Sequence, residues 1–376
     1  MAASKIENVP KIRVGTLIQL FDNKNTEGIV YPYYGINKDK EFMPTVANTD
    51  GLDPSKYTKL EKGMFVFSGM QTGRDVCIRI GLYNNDFPVL MSPAYITFKV
   101  IDEKKVDPTY LFLNFNRFES DRRGWFLSDS SIRSNLDWDR FCDIEIPLPS
   151  IETQRKLAAV YTGLKELAEE NEKLLEPLSK SCQAFIVDCK KKYSMKRLGD
   201  CIEEVDIKNS DNKIKAVKSV SVTKEFKETG AKVNKEELSG YKLVPPRHIS
   251  YVQTTKNEKC FANALNTSDD TYVVTSVNKV IKSKDESILD VGYLHLFLRR
   301  EEFDRYAIFN SWGSAREVFS YEDLCEVKIP LPPIEIQQKI VDLYNCYEEC
   351  KRIATQAREK IKNICPALVQ KAAHSK

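Results

Sequence analysis

From Leu157 onward, positions recur at alternating intervals of three and four: Leu157, Val160, Leu164, Leu167, Asn171, Leu174 and Leu178. This is the a/d spacing of a coiled-coil seam, with one polar residue among the core positions. The register returns in Ile340, Leu343, Tyr347, Cys350, Ala354, Ala357 and Ile361. Each run follows a Pro-bearing segment, and Pro suits a helix start better than its interior. One straight helix over residues 151–190 would be ~60 Å long. Pro177 and Pro366 are expected to kink or break the two helices near their ends. Elsewhere the apolar runs are short. Residues 64–67, 77–80, 249–252 and 260–262 read as strands flanking turns, and 107–119 and 290–303 have helical apolar spacing.

The two helical runs belong to a larger duplication. Ile146-Pro147-Leu148-Pro149-Ser150-Ile151-Glu152-Thr153-Gln154 returns as Ile329-Pro330-Leu331-Pro332-Pro333-Ile334-Glu335-Ile336-Gln337, at an offset of 183 positions. Without a gap the same offset aligns Tyr110 with Tyr293, Ser131 and Arg133 with Ser314 and Arg316, Cys142 with Cys325, and Cys182 with Cys365. At the start of each copy it slips by one, setting Arg13-Val14-Gly15 on Arg197-Leu198-Gly199. Residues 20–95 and 203–278 share only a general pattern. A period near half the chain length means a duplicated unit and not a solenoid.

The expected architecture is α+β: two globular mixed α/β domains in tandem repeat, residues 1–148 and 194–331, separated by two long antiparallel coiled-coil-like helices, residues 149–193 and 332–376. A pseudo-two-fold axis would relate the copies, placing Asn171 near Ala354 at the helix crossing, where the Asn would fix register.

Composition narrows the function. Hydrophobic residues make up 42% of the 376, enough for real cores. No run approaches 18 apolar residues, and the first residues form no apolar signal core. Ten cysteines without CxxC pairs read as reduced thiols of a cytoplasmic protein. Residues 10–148 hold 18 Lys and Arg against 19 Asp and Glu, and residues 194–331 hold 22 against 22. Neither domain would bind a polyanion strongly through phosphates alone, so a DNA-binding role calls for a partner with further contacts.

Two loops carry side chains suited to base edges and phosphates: Gln71, Thr72 and Arg74 in the first copy, and Thr255, Lys256 and Asn257 in the second. A solvated hairpin tip would show the same residue types. Arg133 and Arg316, each after Ser-x, suit phosphate positioning more than base reading, because they are the same in both copies. Gly69-xxx-Gly73-Arg74 lacks the spacing and the Lys-Ser/Thr of a P-loop.

The duplicated I-P-L-P-x-I-E-x-Q, each followed by a long helix, together with Leu198-Gly199-Asp200 and the upstream Ser-x-Arg elements, resembles the specificity (S) subunit of type I restriction-modification systems over essentially the whole chain. The resemblance implies a non-catalytic subunit with two target-recognition domains, each reading one half of an asymmetric bipartite site in double-stranded DNA. It implies helices that set the unspecified spacer and dock two methyltransferase (M) subunits, with Gln154, Leu164, Asn171, Gln337, Tyr347 and Ala354 as their positions here. It implies no cofactor on this chain: S-adenosylmethionine belongs to the M subunits, and ATP and Mg to the restriction (R) subunits.

Rival classes have little in the residues. An amino-methyltransferase needs an [Asn/Asp/Ser]-Pro-Pro-[Tyr/Phe] motif, and the Pro-Pro pairs here are Val244-Pro245-Pro246-Arg247 and Leu331-Pro332-Pro333-Ile334. Glu326-Val327-Lys328 with Asp304 hints at a nuclease, but the first copy has Asp143-Ile144-Glu145 without the Lys. His248, His295 and His374 are the only histidines, and none is set near a nucleophile. A stand-alone tandem DNA-binding regulator is the alternative, and it would bind DNA tightly without partners.

Overall fold

The computed structural model describes residues 9–70, 72–129, 134–230, 232–234, 236–255, 260–313 and 317–373. Contacts divide the chain into two units, Met1–Glu170 with Ile353–Lys376, and Asn171–Arg352. Among the described residues no helix is long and apolar enough to cross a membrane.

In the first unit a four-stranded antiparallel sheet runs in the order Ile18–Leu20, Ile96–Val100, Phe65–Ser68, Arg79–Leu82. Alternation of side chains makes this sheet serve two cores. Phe65 and Phe67 point to one, where Phe67 stacks on Phe141; Val66 points to the other, with Tyr83 and Met91. Each such side chain, fully buried, contributes roughly 2 kcal/mol. A second sheet covers the Val66 face, in the order Phe42–Pro44, Tyr33–Ile36, Val89–Met91, Thr58–Leu60. The helices of this unit are α1 (Thr72–Asp75), α2 (Pro108–Phe115), α3 (Phe118–Leu127), α4 (Trp138–Cys142) and the opening half of α5 (Ile151–Lys192).

The second unit repeats the first sheet: Ile202–Glu204, Asn278–Ser283, Ile249–Val252, Asn263–Leu265. Its helices are α6 (Leu198–Cys201), α7 (Val291–Leu298), α8 (Glu301–Phe309), α9 (Tyr321–Glu326) and the first part of α10 (Ile334–Ala372). The second sheet returns in the same order with a shorter middle pairing: the hairpin of Phe226–Glu228 with Lys218–Val220 meets the pair of Tyr272–Val274 with Lys242–Val244 through a parallel bridge of Val217 to Val273. There the Val273 N–H donates to the Ala216 carbonyl at 2.9 Å, as the Leu90 N–H donates to that of Pro32 at 2.8 Å in the first copy. Both sheets are therefore duplicated, and what differs in the outer one is its residues and the extent of its pairing.

The single helices expected at 107–119 and 290–303 are each two. Asp107 and Asp290 cap α2 and α7 by accepting the N–H groups of Tyr110 and Tyr293, and extended Arg117 and Arg300 then open α3 and α8 at an angle. Neither Pro177 nor Pro366 ends its helix. An interior Pro costs about 3 kcal/mol, and α5 carries buried or half-buried side chains on both sides of Pro177, at Leu175, Leu178 and Cys182.

The α5 seam also differs from the expected one. Leu157, Leu164, Asn171 and Leu178 are half-buried, but Val160 (44%), Leu167 (43%) and Leu174 (49%) are exposed. Gln154, Tyr161, Ala168, Leu175, Cys182 and Cys189 take the second row, seven residues apart. The seam is one residue further along because Tyr161 and the small Ala168 fit the buried side, as bulky Leu residues one position earlier do not. In the first unit Leu157, Tyr161 and Leu164 pack with Cys365 and Val369 near the end of α10. In the second, Ile186 and Cys189 near the end of α5 share a core with Ile340 near the start of α10. On α10 the expected positions are all buried or half-buried.

Candidate functional site

The duplicated Pro motif ends in a Gln, and that Gln is a lock. Gln154 is fully buried; its Oε1 accepts the Asp107 N–H at 3.0 Å, and its Nε2 donates to the carbonyls of Pro149 (2.8 Å) and Lys105 (3.2 Å). Gln337 repeats the set on Asp290 (2.9 Å), Pro332 (2.8 Å) and Ile288 (2.8 Å). The Tyr110 and Tyr293 hydroxyls donate to the carbonyls of Pro147 and Pro330, at 2.8 and 3.0 Å. Burial pushes the Tyr110 phenol up to about 12 and raises that of Tyr293, so both remain donors. Each domain is thereby bonded to the root of a long helix.

The aligned Gly and Cys residues have a steric role. A Cβ on Gly15 would lie 2.8 Å from Cys142 Cβ, and one on Gly199 would lie 2.9 Å from Cys325 Cβ. Only Gly lets these segments approach so closely.

A further duplicated group lies in the region expected to diverge. Lys40 Nζ donates to Asp121 Oδ1 at 2.8 Å and to the Phe115 carbonyl; Asp121 Oδ1 also accepts the Ile78 N–H at 2.9 Å. Lys224 Nζ donates to Asp304 Oδ1 at 2.7 Å and to the carbonyls of Leu298 and Arg299; Asp304 Oδ1 accepts the Phe261 N–H at 2.8 Å. Both lysines are buried in tight turns at φ +65° and +62°. Burial lowers the Lys224 pKa, against the pull of Asp304. The next residue in each case reaches α10: Glu41 pairs with Arg358 and Glu225 with Lys351, both at 3.1 Å. Sequence reasoning missed this group. Its trace is Lys-Glu-Phe, at 40–42 and 224–226, with an offset one longer than that of the main repeat.

The expected recognition residues are placed unevenly. Arg74 is exposed on α1. Thr72 is buried and its hydroxyl donates to the Gly69 carbonyl at 2.9 Å. Thr255 is also buried: its N–H donates to the Glu317 carbonyl and its hydroxyl to Ser311 Oγ. These two threonines hold their loops together and present no hydroxyl to a ligand. Gln71, Arg133, Lys256, Asn257 and Arg316 lie outside the described residues.

Of the helix positions expected to meet partners, Gln154, Gln337 and Ala354 are buried within the chain, so their role is internal. Leu164 packs under Tyr110 and Leu113. Tyr347 is half-buried, its ring stacked on Tyr344 at 5.6 Å. Asn171 is half-buried. Outward apolar positions of α5 include Val160, Leu167 and Leu174, with Phe185 and Val187 nearer its end.

Comparison with known proteins bears on the same duplicated frame. The family model described as the type I restriction modification DNA specificity domain matches twice, over residues 1–178 and 191–363. A protein of Methanocaldococcus jannaschii named for the specificity subunit of the type I restriction enzyme MjaX is 19% identical over 334 residues, spanning 82% of this chain and 77% of that one. The crystal structure of a type-I restriction-modification system S subunit from M. genitalium matches with a TM-score of 0.66 at 12% identity, over 99% of this chain and 97% of that one. That likeness is one of fold.

Proposed function

The chain belongs to the type I restriction-modification DNA specificity family, and we propose that its two heads read the two halves of one asymmetric DNA target. It is a specificity subunit of such a system, a non-catalytic recognition subunit. In this reading the target-recognition domains are residues 1–148 and 194–331, and the spacer helices are residues 149–193 and 332–376.

The observation that carries the reading is the contrast between a duplicated framework and the unlike residues on its outer sheets. The latch of Gln, Tyr and Asp, the Gly–Cys approach and the inner sheet order are the same in both copies. The outer sheets share a strand order but not their residues: Tyr33-Tyr34-Gly35-Ile36 in one copy stands where Val217-Lys218-Ser219-Val220 does in the other. A frame that repeats suits a partner that is the same twice; heads that differ suit half-targets that differ. Arg74, with Gln71, would contact one half-site, and Lys256 with Asn257 the other. Arg133 and Arg316 would hold phosphates in both.

Two methyltransferase subunits would dock on the helices. The exposed Val160, Leu167 and Leu174 form a stripe seven residues apart along α5, the pattern a further helix would cover. Those subunits would bring S-adenosylmethionine and methylate adenine; restriction subunits would bring ATP and Mg. The complex would work in the cytoplasm, where its DNA is. The near-balanced charge of each head fits a chain that grips DNA only together with these partners.

The test is replacement of one loop. The chain is co-expressed with its own methyltransferase subunit, and methylated adenines are mapped with Arg74 intact and with Arg74→Ala. Relaxed sequence at one half-site alone supports the reading; relaxation at both halves contradicts independent heads.

A further inference from the structure

Helices α3 and α8 share a motif that the buried framework does not use. Asp121-Arg122 with Phe126 returns as Asp304-Arg305 with Phe309, at the offset of the main repeat. The Asp of each is turned inward to its lysine. The Arg and the Phe are exposed, four residues apart, and so lie on one helix face. Phe126 is 85% exposed and Phe309 83%. A further exposed indole lies near each in sequence, Trp125 in the first copy and Trp312 in the second. On α3 the face continues to Phe118, over which the Arg122 guanidinium sits at 6.0 Å, and Arg122, Trp125 and Phe126 line an open hollow of about 560 Å³.

We propose that this Arg-x-x-x-Phe face is a second docking surface for the methyltransferase subunit, one on each head, separate from the stripe on α5. The inference rests on the reading above, in which the same partner binds twice. Contiguous exposed apolar patches mark interaction sites, and on α3 Phe118, Trp125 and Phe126 are exposed together; aromatic residues with Arg are what the centres of protein interfaces are enriched in. Charge argues for protein over DNA. The exposed charges of α3 are Glu119, Arg122 and Arg123; those of α8 are Glu301, Glu302 and Arg305, with Glu302 paired to Lys190 and Arg300. The second helix thus carries no net positive charge to match the first, so phosphate attraction is not what they share. The shared element is the Arg–Phe pair itself, and an apolar socket with an acidic group at its rim would receive both copies.

The experiment uses the full chain and its own purified methyltransferase subunit. Phe126→Ala, Phe309→Ala and the double variant are titrated with that subunit, and the complexes assembled at saturating subunit are then titrated with a duplex carrying the mapped target. Each single variant should lose about tenfold or more in affinity for the subunit at one of two sites, and the double variant at both, while the affinity of the assembled complex for the duplex stays within about twofold. Arg122→Glu and Arg305→Glu should reproduce the loss. These side chains are exposed, so thermal unfolding should be unchanged. Unaltered subunit binding in the double variant overturns the inference, and if duplex affinity falls instead, the face belongs to DNA. Should the unmodified chain take up no methyltransferase subunit, the functional reading itself falls, and this inference with it.

Discussion

The side-chain oxygen of Gln154 accepts the backbone N–H of Asp107, 47 residues earlier in the chain, at 3.0 Å. One bond thus joins the first turn of a long helix to the cap of α2. Gln337 and Asp290 repeat it at 2.9 Å. The stiffness of each head on its helix depends on this junction, because the same amide also holds the carbonyl that precedes the helix.

Removing that amide leaves a buried N–H and two carbonyls without partners. Gln154→Ala or Gln337→Ala is expected to destabilise its own unit by about 3 kcal/mol, read from urea unfolding of the full chain. A loss below about 1 kcal/mol would show that water replaces the amide at little cost.

The Lys–Asp pairs make a second stability prediction. Lys224→Met leaves the Asp304 carboxylate in a buried site, and about 3–5 kcal/mol should be lost. The double variant Lys224→Met/Asp304→Asn should recover most of it, since Asn can still accept the Phe261 N–H while carrying no charge. A double variant as unstable as the single one would mean that the lysine's packing and its carbonyl bonds outweigh its charge. Lys40 and Asp121 should behave alike.

His295 makes the second unit sensitive to acid. It is buried on α7 with Nε2 lacking a partner, and burial, with Arg299 and Lys224 nearby, drives its pKa down to about 3 from an ordinary 6.5. Between these values the unfolded chain binds the proton and the folded chain does not. Stability from this residue is therefore full above pH 6.5 and is lost as pH falls toward 3, by at most ~1.4 kcal/mol per pH unit. Stability of His295→Phe measured across that range should have a shallower slope than that of the parent chain. Equal slopes would show that His295 is protonated in the folded chain.

Lengthening both helices tests their role as a ruler. Seven residues inserted after Asn171 and seven after Arg352 keep the seam in register and add ~10 Å to each helix, about three base pairs at ~3.4 Å each. The spacer of the methylated target should grow accordingly. A complex that stays active on the original spacer would show that the helices do not set it.

The frame was legible in the sequence because the repeat exposed it. Pro147 and Pro330, Tyr110 and Tyr293, and Cys142 and Cys325 align by letter alone, and each proves to be part of a duplicated contact. The Lys40 and Lys224 pairs were hidden by a one-residue difference in spacing. The α5 seam misled because bulky Val160, Leu167 and Leu174 carry the stronger apolar signal, whereas Tyr161 and Ala168 carry the packing. Thr72 and Thr255 have the right chemistry for recognition, yet their hydroxyls are taken by local bonds that no linear pattern reveals.

If two unlike heads on one chain read a two-part target, methylated adenines mapped in a methylation-free host that expresses this chain with its own methyltransferase subunit should fall in one asymmetric motif: two short unlike blocks separated by a spacer of fixed length and free sequence. A single continuous block, or two identical ones, would mean that the heads do not read separate halves.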